Sequence, residues 1–300
     1  VQAIRYARYG GPEVLELVET EAPHAAPGQI RIAVQAAGVN GIDWKIRSGA
    51  MREQIPLKLP AGTGNDAAGI IDEVGEGVEG VRAGDAVFGA GRWTLAEWAV
   101  LTAWYPVPDG LSLVEAAGYP IPVETAVRIL GEVGVQPGQT LLVSGAAGGV
   151  GSAVVQIARA RGITVIGTAS ERNQTYLRSL GATPTTYGEG MSDRVRELAA
   201  DGVDAALDIA GSGVIPDLVA LTGEPARVLS IADFSAPEHG ARVSFQSVDP
   251  PAAYAEAARL FAAGHFHLPV ERTFPLARAA DAHAAAQDGH VAGRLVVTVP

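Results

Sequence analysis

The chain is 300 residues long and 48% hydrophobic, and its 33 acidic against 22 basic side chains leave a formal charge of −11. That is enough chain for a substantial core, near the length at which one chain divides into two domains. The acidic balance argues against nucleic acid or an anionic membrane as the principal partner. Cysteine is absent, which excludes disulfides, thiolate catalysis, iron–sulfur ligation and any cysteine-built zinc site. The opening Val1-Gln2-Ala3-Ile4-Arg5 leads into polar sequence without a signal-peptide hydrophobic region. No stretch reaches the roughly twenty apolar residues of a membrane span. A soluble cytoplasmic enzyme is the expected class.

In the first third, short apolar runs alternate with glycine and proline punctuation. Residues 30–34 and 69–74 read as strands, and Gly75, Gly77, Gly80 and Gly84 supply turns after the second. Residues 87–88 and 95–98 continue the pattern, so the first domain is expected to be largely β. Residues 114–117 suit a short helical piece, Pro120 and Pro122 interrupt any single continuous helix, and 123–130 is the better helical segment. Strands follow at 140–144, 163–168, 205–209 and 227–231, with helices from about 150 and from 175. This strand–helix order predicts a parallel α/β sheet covered on both faces. Residues 252–261 and 277–287 read as helices and 295–299 as a final strand, too little for a domain of its own. The expected division is 1–120 plus 255–300 around an inserted nucleotide-binding domain at 121–254.

The most informative stretch is the strand at 140–144 running into Gly145-Ala146-Ala147-Gly148-Gly149-Val150-Gly151 and a helix. Small residues let the backbone turn closely around a pyrophosphate, and amides at a helix start face its oxygens. Against the pattern GxGxxG the register is Ala146, Gly148 and Gly151, with alanine in first place, so Ala146, Ala147, Gly148, Gly149, Val150 and Gly151 are candidate cofactor residues. The next strand ends in Gly167-Thr168-Ala169-Ser170, without the acid that accepts from the adenosine ribose in NAD sites. Ser170 can donate to a phosphate and Arg172 can bring a fixed positive charge, which favours NADPH. Glu171 opposes that choice if it turns inward. Arg172 equally suits plain solvent exposure, and Tyr187 either contacts the adenosine pocket or packs.

With these elements in place, the chain from Ala3-Ile4-Arg5-Tyr6 to Gly293-Arg294-Leu295-Val296-Val297 resembles the zinc-free quinone oxidoreductase (zeta-crystallin-like) branch of the medium-chain dehydrogenase/reductase superfamily. The resemblance is carried by Ala36-Ala37-Gly38-Val39-Asn40-Gly41-Ile42-Asp43, by 62–69, by 84–89 and by the glycine turn, in the expected order. It implies a GroES-like catalytic domain, a Rossmann-like nucleotide domain and a homodimer. It also implies direct hydride transfer from NADPH to a quinone or to the activated double bond of an enone or enal, with the substrate in the interdomain cleft. By resemblance Asn40 orients the nicotinamide ribose or a substrate oxygen, its alternative being to cap the following helix. Thr125 lies near the nicotinamide or bonds back into its own helix. Ile231 and Ala232 bring backbone groups to the nicotinamide. Arg294 approaches the adenosine phosphate or serves at a surface or domain contact.

The zinc-dependent relatives need a ligand set that Gly64-Asn65-Asp66 does not supply, and the six histidines form no ligand constellation, so no metal is expected. Asp43 and Asp66 read as structural acceptors of amide hydrogen bonds. Solvent is the expected proton donor. The alternative to an enzyme is an NADPH-binding structural or regulatory protein of weak catalytic activity.

Overall fold

Along the strand Ile30–Val39, Ile30, Ile32 and Val34 turn inward and are buried while their neighbours are only partly covered, as the period-two geometry of a strand requires. In the computed structural model, which describes residues 1–300, this strand is the hub of a six-stranded sheet. The order is Val270–Pro275, Arg294–Thr298, Ile30–Val39, Asp66–Val74, Ala86–Gly91, Trp98–Pro106. Ile30 to Ala33 pair a second time, antiparallel, with the strand Trp98–Pro106, so the sheet curls back on itself and hides edges that would otherwise stay open. Ile71, Val87, Leu95, Leu101 and Val297 close the core behind it, each such side chain contributing on the order of 1.5–3 kcal/mol on burial. Beside it lies a three-stranded antiparallel sheet ordered Glu16–Glu19, Gln2–Tyr6, Ala61–Gly62. These elements belong to one unit, Val1–Ile121 with Pro250–Ala258 and Leu268–Pro300.

The second unit, Pro122–Asp249 with Arg259–His267, holds six strands, parallel throughout. Their spatial order is Thr183–Thr186, Thr164–Ala169, Thr140–Ser144, Ala205–Asp208, Val228–Ser230, Arg242–Val243. The first strand of this unit, Thr140–Ser144, thus sits inside the sheet, the next two run outward on one side, and the last three on the other. This doubly wound order opens a crevice at the carboxyl ends of the strands, where the winding direction reverses. Leu142, Ile166, Ala206 and Val228 are buried from strands, and Val195, Ile215 and Leu218 from the covering helices.

Three expectations change. Pro120 and Pro122 separate two helices, Leu113–Ala116 and Pro120–Val133, but the second starts at Pro120 rather than at residue 123, because a proline in the first turn gives up an N–H that has no helical partner there. The helices Met191–Leu198 and Ile215–Thr222 lie in stretches read without elements. The late return of the chain is spread over the helix Pro250–Ala262 and the residues after it rather than placed at 254/255.

Candidate active site

The glycine turn occupies the reversal point of the parallel sheet. Gly145 leaves the central strand at φ +83, a left-handed conformation open to glycine, whereas Ala146 keeps negative φ. Alanine therefore fits the first motif position, and the residue that bears the turn is the one before it. A Cβ at Gly151 would stand 2.3 Å from the Gly145 carbonyl oxygen, so this position is closed to side chains by packing. A Cβ at Gly148 would meet only that same oxygen, at 3.8 Å, leaving the space above the turn open. The helix Gly149–Ala160 starts there with Gly148 as N-cap and no side-chain cap, so its first amides are available to an anion.

Strand register brings the other nucleotide candidates to the same end of this sheet. Thr186 pairs with Ala169, so Tyr187 and Ser170 each emerge one residue later, side by side. The Ser170 Oγ is buried and has no hydrogen-bond partner. Such an orphan is costly, and a phosphate oxygen would satisfy it, so the residues present fit an adenosine phosphate. Arg172 lies exposed on the one-turn helix Glu171–Asn173, and Tyr187 is 54% exposed.

On the other side, Asp208 pairs with Ser230, and Ile231 and Ala232 follow. Their amides are already committed: Ile231 donates to the Asp208 carbonyl at 3.1 Å and Ala232 to the Ser230 hydroxyl at 3.1 Å. Ser230 in turn donates to the buried Asp208 carboxylate at 2.7 Å. Sequence reasoning passed over this Asp208–Ser230 pair; the signal was an acid and a hydroxyl closing adjacent apolar strands. Thr125 is buried in the helix Pro120–Val133.

A second polar cluster lies inside the largely β unit. Val39 pairs with Leu295 in antiparallel register, which sets Arg294 opposite Asn40, and Asp66 begins the neighbouring strand. Arg294 donates to the Asn40 side-chain oxygen at 2.8 Å and to Asp66 at 3.4 Å; the Asn40 amide donates to Asp66 at 2.8 Å. Asp66 also accepts from the Ile121 N–H at 3.0 Å, and Asp43 accepts from the Asn40 N–H at 2.7 Å and from Asn65. Gly38 makes room: a Cβ there would stand 3.0 Å from the Arg294 guanidinium and 3.1 Å from the Asp66 Cβ. Burial pushes the Asp66 carboxyl up to about 7 and that of Asp43 up to about 6, and lowers the pKa of Arg294.

This corrects one reading. Arg294 is buried and committed to Asn40 and Asp66, so its guanidinium is not held out toward an adenosine phosphate. Asn40 is the N-cap residue of the helix Gly41–Ser48, and each end of its side-chain amide makes one hydrogen bond within the protein. No group of three or more His, Asp or Glu side chains that could hold a metal ion converges in the chain.

Comparison with known proteins places these features among relatives. Residues 26–103 match the alcohol dehydrogenase GroES-like domain and residues 180–297 match a family described as zinc-binding dehydrogenase. The rat quinone oxidoreductase is 37% identical over 219 residues, 70% of this chain and 66% of that protein. The Lama guanicoe quinone oxidoreductase is 34% identical over 241 residues, 77% of this chain and 72% of that protein. The crystal structure of Escherichia coli quinone oxidoreductase complexed with NADPH superposes with a TM-score of 0.88 at 25% identity, over 99% of this chain and 100% of that one. The matched region spans 56–66% of the length of the rat, mouse, pig and human quinone oxidoreductases.

Proposed function

Since the chain belongs to the zinc-independent, quinone-oxidoreductase-like members of the medium-chain dehydrogenase/reductase superfamily, we propose that it is an NADPH-dependent oxidoreductase acting on a quinone or on the activated C=C bond of an enone or enal. The observation that carries this reading is the open turn over Gly148 with the unpartnered Ser170 hydroxyl at the same sheet end. Bound NADPH supplies the hydride.

The chain's own residues bind and orient. Ala146 to Gly151 let the backbone approach a pyrophosphate, and the amides opening the helix Gly149–Ala160 face its charge. Ser170 donates to the adenosine phosphate and Arg172 supplies a fixed positive charge, while Tyr187 walls the adenosine side. The Asp208–Ser230 pair fixes the backbone at Ile231 and Ala232, which sets where a nicotinamide ring rests. Thr125 is proposed to meet the nicotinamide carboxamide or ribose. Asn40, held by Asp66 and Arg294, keeps the loop before the helix Gly41–Ser48 in one geometry. With no acid assigned to the substrate, the proton comes from solvent.

A homodimer in the cytoplasm completes the proposal on the strength of the resemblance. No helix is long and apolar enough to cross a membrane.

The test is an anaerobic reaction with C4-deuterated NADPH and a quinone or an enone in separate tubes, the products read by mass spectrometry. Deuterium on carbon of a saturated ketone identifies alkene reduction, and hydroquinone without saturated ketone identifies quinone reduction. Tight NADPH binding with no product in either tube replaces the enzyme by a cofactor-binding protein of weak activity.

A further inference from the structure

Trp93 adopts φ +63, a left-handed backbone conformation that is a true outlier for so bulky a side chain. The ring is not buried in return: Trp93 is 41% exposed. It is held there by Gly62, where an added Cβ would lie 2.5 Å from the Trp93 Cβ and Cγ. The Trp93 amide is fixed to the Gly64 carbonyl at 2.8 Å. Backbone strain kept under a ring that remains largely exposed points to a binding role.

The surroundings name the ligand chemistry. Arg5 pairs across the sheet with Gly62, so its guanidinium reaches the indole, 5.6 Å from the ring centroid; Arg92 lies at 5.6 Å from the same centroid. A guanidinium stacked on an aromatic ring uses its face and keeps its in-plane N–H donors for an oxyanion. The contrast within the same unit is Arg31, stacked on Trp98 at 5.2 Å but neutralised by Asp72 and Glu73. Neither Arg5 nor Arg92 forms an ion pair, although Glu16 stands opposite Arg5 on the paired strand. Both line a recess of about 680 Å³ with Trp93 and Trp98, in which Glu21 is the one carboxylate. Arg92 and Trp93 also border a smaller recess of about 400 Å³ that carries Lys58. In a chain of formal charge −11, this sets two arginines free of ion pairs beside the exposed Trp93 ring and the half-buried Trp98 ring.

We propose that the Trp93 recess is a binding site for a planar aromatic anion, its ring against the indoles and its carboxylate, sulfonate or phosphate group on Arg5 and Arg92. None of these residues belongs to the Asn40–Asp66–Arg294 cluster or to the nucleotide turn, so the site stands independently of the hydride reaction.

The test follows the four tryptophan indole N–H resonances of the full ¹⁵N-labelled chain, saturated with NADPH so that the cofactor site is filled. Naphthalene-1-sulfonate is the probe and 1-naphthol its neutral counterpart. Saturable shifts at Trp93 and Trp98, with Trp44 and Trp104 unmoved, are expected for the sulfonate. The Arg5→Gln/Arg92→Gln variant is expected to weaken that binding at least about tenfold, as loss of charge-assisted hydrogen bonds implies. Trp93→Gly, which relieves the left-handed conformation, is expected to abolish binding without lowering the melting temperature. Equal affinity for sulfonate and naphthol, undiminished binding by the double arginine variant, or no saturable shift at Trp93 would each overturn the proposal.

Discussion

Arg294 donates a 2.8 Å hydrogen bond to the side-chain oxygen of Asn40, although 254 positions separate them. The pairing of Val39 with Leu295 makes this meeting unavoidable, and Asp66 supplies the balancing charge.

At a pH above the raised Asp66 value of about 7, removing the cation from such a cluster leaves a buried carboxylate without compensation. Arg294→Met is therefore expected to cost about 3–5 kcal/mol, read from urea denaturation midpoints. Adding Asp66→Asn removes the stranded charge and is expected to recover part of the loss. NADPH affinity of the folded fraction stays unchanged in both variants; a selective loss of affinity would return Arg294 to the phosphate role.

Asp43 gives a pH signature. Burial raises its folded-state pKa from 3.8 to about 6. Between those values the folded chain retains a proton that the unfolded chain has released, so stability from this group is full below 3.8 and declines as the pH rises through 6. The decline is expected to approach 3 kcal/mol, at about 1.4 kcal/mol for each tenfold change in proton affinity. Asp43→Asn should reduce this slope in urea titrations at stepped pH, and Asp43→Asn/Asp66→Asn should flatten it, because the Asp66 carboxyl, raised to about 7, adds to the decline over the same range; a slope unchanged by Asp43→Asn would assign it to another group.

Gly148 and Gly151 separate binding from folding. Gly151→Ala drives a methyl group against the Gly145 carbonyl and is expected to lower the melting temperature. Gly148→Ala has room for its methyl group, so the melting temperature of the unliganded chain stays within a degree or so while NADPH affinity falls about tenfold or more, the cost of displacing a phosphate by a methyl contact. Fluorescence titration beside a thermal melt distinguishes the two.

On the proposed reading, cofactor preference rests on Ser170 and Arg172. Ser170→Ala and Arg172→Gln should each lower kcat/KM for NADPH about tenfold, the effect of one charge-assisted bond, with NADH kinetics little changed. Equal losses with both cofactors would show that neither residue reads the phosphate.

The doubly wound unit was legible because its strands are continuous apolar runs and its turn has a local chemical signature. Ala146, Gly148 and Gly151 could be placed from sequence for the same reason. The Asn40–Asp66–Arg294 cluster was not, since it depends on the register between strands at opposite ends of the chain. An arginine near a final strand carries no mark of the partner opposite it. The break at Pro120 was legible, but the start of the following helix was set at 123 rather than 120, because proline breaks a helix interior and opens a first turn equally well and the sequence alone does not fix which position it holds. Gly38 looked like one more glycine in a loop motif until the Arg294 side chain was seen beside it.

Gln156 lies in the helix Gly149–Ala160, and its side chain behaves like a strip of backbone. Its amide nitrogen donates to the His267 carbonyl at 3.0 Å and its oxygen accepts from the His267 N–H at 2.9 Å. Residues 259–267 thus belong to the parallel-sheet unit by a two-point clasp, although other segments intervene in the chain. A fragment cut as the uninterrupted stretch 122–249 would lose that clasp and with it two of the three hydrogen bonds of the Gln156 side chain. Grafting or swapping this unit between related chains therefore requires carrying a second, distant piece of sequence with it.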